Sequence, residues 1–383
     1  DTGTHHPTAS DIDVGCEASH GPGSQHVDWA QMPDMARPAV DNYALAQNTS
    51  DLSSVELVEQ CAACHSRRGS MADLGHTETE YMDTFLPSLL DEGLYFADGQ
   101  ILDEVYVYGS FIQSKMFDRD VKCSDCHDVH SVERVLEGNA LCLQCHRESQ
   151  YDTYDHHFHK QEGEEGEPIL SDTGEVLWDV GTGAQCETCH MPGRYYMGND
   201  YRPDHSFRVP NPRLSAEIGA PDPCLRCHVD EDTAWSQEKV EEWYGPGLTS
   251  HYGEILFRAR RGEAGVDPEL AALAADDLYP VIVRATAISL LGNNYGGPTA
   301  TQAIDLAMVD ESPLMRRTAV SVISGTDGRI LAGKLARALH DPVKTVRIEA
   351  ASRLAGPLSG YLDIPQTQLF EQVLDEYTPV SYT

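Results

Sequence analysis

Lysine is scarce in this 383-residue chain: six residues, within 27 basic side chains set against 62 acidic ones, for a formal net charge of −35. A surface so short of positive charge repels phosphate backbones and anionic lipid, which argues against nucleic-acid or membrane-surface partners. Long apolar runs are missing too. No stretch approaches the ~18–20 uninterrupted apolar residues of a membrane-spanning helix. No basic-then-apolar leader stands at Asp1, so the chain reads as a mature form whose export signal has been removed or left out. Apolar content of 40% is near the globular norm and allows an ordered core. The Asp/Glu-rich, Lys-poor surface fits either adaptation to high salt or plain solubility. The first expects stability to rise between low and molar salt in thermal melts; a flat response selects the second.

What is present is cysteine in a repeated setting. Ten of the eleven cysteines form five copies of C-x-x-C-H: Cys61-Ala-Ala-Cys64-His65, Cys123-Ser-Asp-Cys126-His127, Cys142-Leu-Gln-Cys145-His146, Cys186-Glu-Thr-Cys189-His190 and Cys224-Leu-Arg-Cys227-His228. Two thiols one turn apart can each add across a vinyl group on one edge of a porphyrin, and the adjoining His then lies under the iron. Zinc sites and redox dithiols also use C-x-x-C, and disulfides form in exported proteins, but none of these requires a His directly after the second Cys. The expected cofactor is therefore haem c, five of them covalent. The eleventh cysteine lies in Cys16-Glu-Ala-Ser19-His20, the same motif with Ser in the second position. It could hold a sixth haem through one thioether with His20 on the iron; the alternative is a degenerate site with a free thiol.

Each iron needs a sixth ligand or an open face. His26, His130, His156, His157, His159, His205 and His251 lie in or near the motif region. His130, three residues after His127, is too close to reach its own iron from the opposite face and would serve a neighbouring haem. One or two members of the His156-His157-Phe158-His159 cluster are expected to ligate, and His157 and His159 stand in the expected set with His26, His130, His205 and His251. His5, His6 and His340 read as structural or exposed, and His76 is undecided. Met191 and Met197 could ligate, although Met191 is poorly placed for the iron of His190.

The chain divides into three parts. Residues 1–60 are rich in Gly, Pro and Asp, with a helix expected near Leu52–Gln60. Residues 61–250 hold the intact motifs among polar, irregular stretches, where haem rings would supply much of the core. From 254 to 383 the pattern turns helical. Arg284, Arg316 and Arg347 are each followed by apolar residues at +3, +4 and +7, and Pro280, Pro313 and Pro342 precede them. Spacings of 32 and 31 residues are those of stacked helix pairs, a HEAT-like α-solenoid, with an ordinary helical bundle as the alternative. The expected fold class is mainly α with extensive irregular structure: a multihaem domain packed around haems, then a C-terminal helical HEAT-like solenoid.

Several segments resemble multihaem cytochromes c of the doubled C-x-x-C-H type, often fused to HEAT or TPR-like repeats. They are Val14-Gly-Cys16 through His26, Ile101 through Phe111, Cys123 through Ser131, and Cys189-His190-Met-Pro with Asp204-His205-Ser-Phe-Arg208. The resemblance covers most of the chain from about Asp11. It implies periplasmic or extracellular electron transfer through bis-His haems, with His26, His130 and His205 at distal-ligand positions. Ser19 departs from the pattern by standing where relatives have Cys. The leading expectation is an electron carrier working with redox partner proteins, not an enzyme. The rivals are a subunit of an extracellular cytochrome filament built by self-assembly, and a multihaem reductase of a small nitrogen or sulfur species, which needs an open iron face.

Overall fold

The computed structural model describes residues 15–71, 79–131, 133–196, 198, 200–246, 250–294 and 296–377. His5, His6, His76 and Met197 lie outside the described residues. Sheet among the described residues is limited to four two-stranded antiparallel ribbons, such as His127–Asp128 with Glu133–Arg134 and Arg194–Tyr196 with Asp200–Arg202. The rest of the regular structure is helical.

Helix α1 (Ser24–Gln31) is followed by α2 (Ser54–His65), which carries the expected 52–60 helix on through the first intact motif. Its start is set by a capping box: the Ser53 hydroxyl accepts from the Glu56 amide, and the Glu56 carboxylate accepts from the Ser53 amide. Helices α3 (Pro212–Ile218) and α4 (Thr233–Tyr244) pack on one another around the last motif. Then comes a helical array: α5 (Tyr252–Arg260), α6 (Asp267–Ala275), α7 (Val281–Leu291), α8 (Pro298–Ala307), α9 (Pro313–Val322), α10 (Gly328–Ala338), α11 (Lys344–Leu354) and α12 (Ile364–Tyr377). In it α7 packs on α6 and α9, α11 on α9 and α10, and α12 on α11.

The three repeat arginines are each the fourth residue of their helix, on α7, α9 and α11. The apolar residues that follow them, from Ala287, Ile288 and Leu291 to Ala350, Ala351 and Leu354, are all buried. Each guanidinium reaches forward to a carboxylate: Arg284 to Asp310 at 2.7 Å, Arg316 to Asp341 at 2.6 Å and Arg347 to Glu376 at 2.7 Å. Asp310 and Asp341 also accept the amides of Ser312 and Val343, so each aspartate fixes the turn into the next helix.

The core does not follow the three-part division drawn from the sequence. A motif-free stretch inside 61–250, roughly residues 81–112, shares one apolar cluster with the helical array, through Leu90, Tyr95, Ile101, Val105 and Ile112. It is tied there by polar contacts as well: the Leu90 amide donates to Thr286 Oγ1 (3.1 Å), Arg260 to the Tyr95 carbonyl (3.0 Å), and Tyr252 Oη to the Asp98 carbonyl (2.6 Å). From Lys115 through Val180 the opposite holds, and no described residue is buried. A stretch of that length has no protein core of its own.

Candidate metal centres

The backbone turns the same way at four of the five intact motifs; at Cys123–His127 the Cys126 amide bonds the Cys123 carbonyl (3.2 Å), but His127 passes into the ribbon with Arg134. In Cys142–His146 the amides of Cys145 and His146 both bond the Cys142 carbonyl (3.2 and 3.0 Å), and in Cys224–His228 those of Cys227 and His228 bond Cys224 (3.3 and 3.0 Å). Cys186–His190 is a one-turn helix and Cys61, Cys64 and His65 end α2. Residues three apart on such a turn share a face, which is what a two-point attachment needs. The degenerate motif folds identically. Ser19 and His20 amides bond the Cys16 carbonyl at 3.2 and 2.9 Å. Losing the second thiol has not altered the turn.

The histidines are paired. His20 and His130 rings lie 6.4 Å apart with planes at 11°, His127 and His205 6.4 Å at 24°, His190 and His156 6.2 Å at 10°, and His228 and His159 6.1 Å at 46°. Each pair joins a motif histidine to one outside the motifs. Two imidazoles on opposite sides of one metal would have centroids about 6.3 Å apart, taking a metal–nitrogen bond of about 2.0 Å and about 1.15 Å from nitrogen to ring centre. A single aromatic contact at this distance is ordinary; four recurring within 0.3 Å, always motif to non-motif, fit the donor set of an axially ligated iron.

The second ring nitrogens carry the same message. Nδ1 of His26, His190 and His205 faces the carbonyls of Tyr43 (2.7 Å), Arg208 (2.7 Å) and Pro203 (3.0 Å), and Nδ1 of His159 that of His157. A carbonyl only accepts, so Nδ1 must hold the proton, which leaves the Nε2 lone pair free for a metal. Burial, the largest cause in each case, holds His127, His156, His205 and His228 below the ordinary histidine range, so they stay neutral, the form a metal binds.

Thiols of successive motifs are neighbours. Cys61 hydrogen-bonds Cys123, and Cys142 hydrogen-bonds Cys186; the Cys186 contact pulls the Cys142 thiol down to about 7. Cys126 feels Cys142 and Cys145, Cys189 feels Cys227, and Cys224, raised by burial to about 12, feels Cys189. All eleven cysteines are free of disulfides. Among the described residues no three of His, Cys, Asp and Glu converge as a zinc site would require.

Other expected ligands are placed differently. His65 lies near His127 and His205, and His146 packs edge-on against Tyr151 (5.6 Å). Among the described residues neither shows a paired imidazole ring. His26 sits on α1, and His157 ends a one-turn helix, Tyr154–His157, where its Nδ1 accepts the His159 amide (3.2 Å), so a neutral ring carries its proton on the buried Nε2. His156, outside the expected set, faces His190 instead; the sequence showed a four-residue cluster, and only the turn decides which members point at a motif. Met191 caps the Cys186–His190 helix.

His251 caps α5. Its Nδ1 accepts the Gly253 amide (3.0 Å) and its ring lies 4.2 Å from Tyr252, so a neutral ring carries its proton on Nε2, opposite to the tautomer of His159, His190 and His205. Burial, then the nearby Arg208, lowers it to about 4. A folded pKa below the unfolded ~6.5 means stability that is complete above pH 6.5 and lost as pH falls toward 4. His251→Asn keeps a capping oxygen and is expected to remove on the order of 2–3 kcal/mol of that loss. Thermal melts from pH 7 to 4 read the change, and an unflattened profile refutes it. The visible spectrum should not change.

Residues 116–151 match the family model described as the doubled CXXCH motif. No curated protein matches the chain. Among solved structures, the outer cell wall cytochrome OcwA is similar at 16% identity over 81% of this chain and 69% of its own, with a TM-score of 0.37, too low to transfer any feature. No helix among the described residues is long and apolar enough to cross a membrane. Two C-x-x-C-H sequences fall inside the matched segment and three more outside it, the attachment signature of covalent c-type haem, and in this the chain is similar to multihaem cytochromes c.

Proposed function

We propose that this protein is an electron carrier working outside the cytoplasm, with six attachment sites set in series and mostly bis-His iron. The observation that carries the reading is the set of four motif-to-distal imidazole pairs at 6.1–6.4 Å. Bound haem supplies reversible one-electron chemistry. The protein's part is to attach, orient and space it. The mutual influence of the Cys61 and Cys123, Cys126 and Cys142, Cys142 and Cys186, and Cys189 and Cys227 thiols supports a series in which the five intact sites follow one another in sequence order. The Cys16 site joins the first end: Gln60 donates to the Ser19 carbonyl, and His130 comes from the loop after His127.

The sixth site rests on the intact turn at Cys16–His20 and on His130 opposite His20. For His65 and His146, whose rings show no paired imidazole among the described residues, His26 is the remaining candidate distal ligand, since its Nδ1 holds its proton toward the Tyr43 carbonyl. The ladder Arg284–Asp310, Arg316–Asp341, Arg347–Glu376 supports reading residues 254–383 as a HEAT-like solenoid that braces the haem region. A redox partner would meet a strongly acidic surface, so a basic docking face on that partner and salt-weakened association fit this reading.

Intact-mass measurement and low-temperature EPR test it together. Six haems, low-spin signals predominating, and loss of a single haem in Cys16→Ser are expected. A five-haem mass removes the sixth site, and a strong high-spin signal in the native protein selects a reductase instead.

A further inference from the structure

The ligand reading above assigns one distal histidine to each of four motifs, and two of those four lie three residues apart. His156 faces His190, and His159 faces His228. Residues three apart on a continuing helix project from one face and would point at one iron. The one-turn helix instead stops at Phe158, whose backbone is left-handed (φ 55°, ψ 24°). For a residue with a bulky side chain that conformation is costly unless its surroundings impose it.

The surroundings do. Phe158 stacks on Trp243 at 4.5 Å with planes at 3°, and Tyr154 and Tyr244 pack at 5.9 and 5.8 Å. Tyr244 Oη donates to the His156 carbonyl, and Trp243 lies edge-on to His159 at 6.5 Å. Both clamping residues end α4, whose first turn sets Trp235 4.7 Å from the proximal His228. Gly183 completes the fit, since a Cβ there would come within 2.3 Å of the His159 ring.

We propose, resting on that ligand reading, that the turn 154–159 is a single strap giving distal ligands to two different irons, those of His190 and His228. Phe158, held against Trp243, is its positioning residue. One helix then fixes the proximal histidine of the second iron and the distal histidines of both, so the two sites shift together.

The test uses EPR of the holoprotein with haem content checked by mass. His156→Ala and His159→Ala should each move one haem's worth of low-spin signal to high spin, and the double variant two. Gly183→Ala should disturb the His228 signal alone. Trp243→Leu should shift two low-spin signals without loss of haem, and Trp243→Phe should restore them. A double variant that loses only one haem's worth overturns the strap while leaving bis-His ligation standing. Unchanged signals in Trp243→Leu remove the positioning role of Phe158. Absence of any bis-imidazole signal in the unsubstituted protein defeats the ligand reading and the strap together.

Discussion

Chain produced without haem attachment should be cut within residues 115–180 on the order of 100-fold faster than holoprotein under limited proteolysis, a loss of about 3 kcal/mol of local protection. The physical reason is that no described residue from Lys115 to Val180 is buried and no disulfide holds that stretch. Such a segment must take its core from groups that the polypeptide does not contain. The helical array has its own core, from Leu270 and Ile282 through Leu335 to Leu354, and should keep most of the helical circular dichroism. Equal cleavage of the two forms, or cleavage moved into residues 252–377, would show that the irregular region folds by itself.

Arg316→Ala should lower the stability of the helical array by about 3–5 kcal/mol, the usual loss when one member of a buried ion pair is removed. With the array's size, that corresponds to a melting shift on the order of 10 °C. Arg316 and Asp341 side chains are 14% and 8% exposed, so the pair is well out of solvent. The geometry is a fork: Nε to Oδ2 at 2.6 Å and a terminal nitrogen to Oδ1 at 3.0 Å. The guanidinium also closes the carbonyls of Asp310 and Glu311 at 2.9 and 2.8 Å, so truncation takes the partner from both carbonyls and from Asp341 Oδ2, while Oδ1 keeps the Val343 amide. Lys at this position cannot reproduce the fork and should recover only part of the loss. A shift of one or two degrees in calorimetry would mean that the ladder is incidental to the stacking.

The arginine repeat was legible because it is local: helical period puts +3, +4 and +7 on one face, and those residues are buried. Its partners were not. Asp310 and Asp341 lie 26 and 25 residues onward, at a distance that only the packing of one helix pair on the next can close. The extent of the array was hidden for a similar reason. Residues 81–112 carry no repeat, yet their apolar side chains join the array in one cluster, together with Val58 and Ala62 of α2 and Leu214 of α3.

Spacing along the chain determined the attachment chemistry, because two thiols and an imidazole within five residues can meet one porphyrin edge whatever the rest of the molecule does. It also gave the degenerate motif the turn of an intact one, since the bonds of that turn are all backbone. Which histidine faces which motif was decided by tertiary structure. His156 and His159 are turned apart by the left-handed backbone of Phe158, which depends on Trp243, 85 positions away. His251 had the composition of a ligand and became a helix cap because Gly253 offered its amide. Short-range chemistry is written in consecutive residues; orientation is the sum of contacts made across the whole fold.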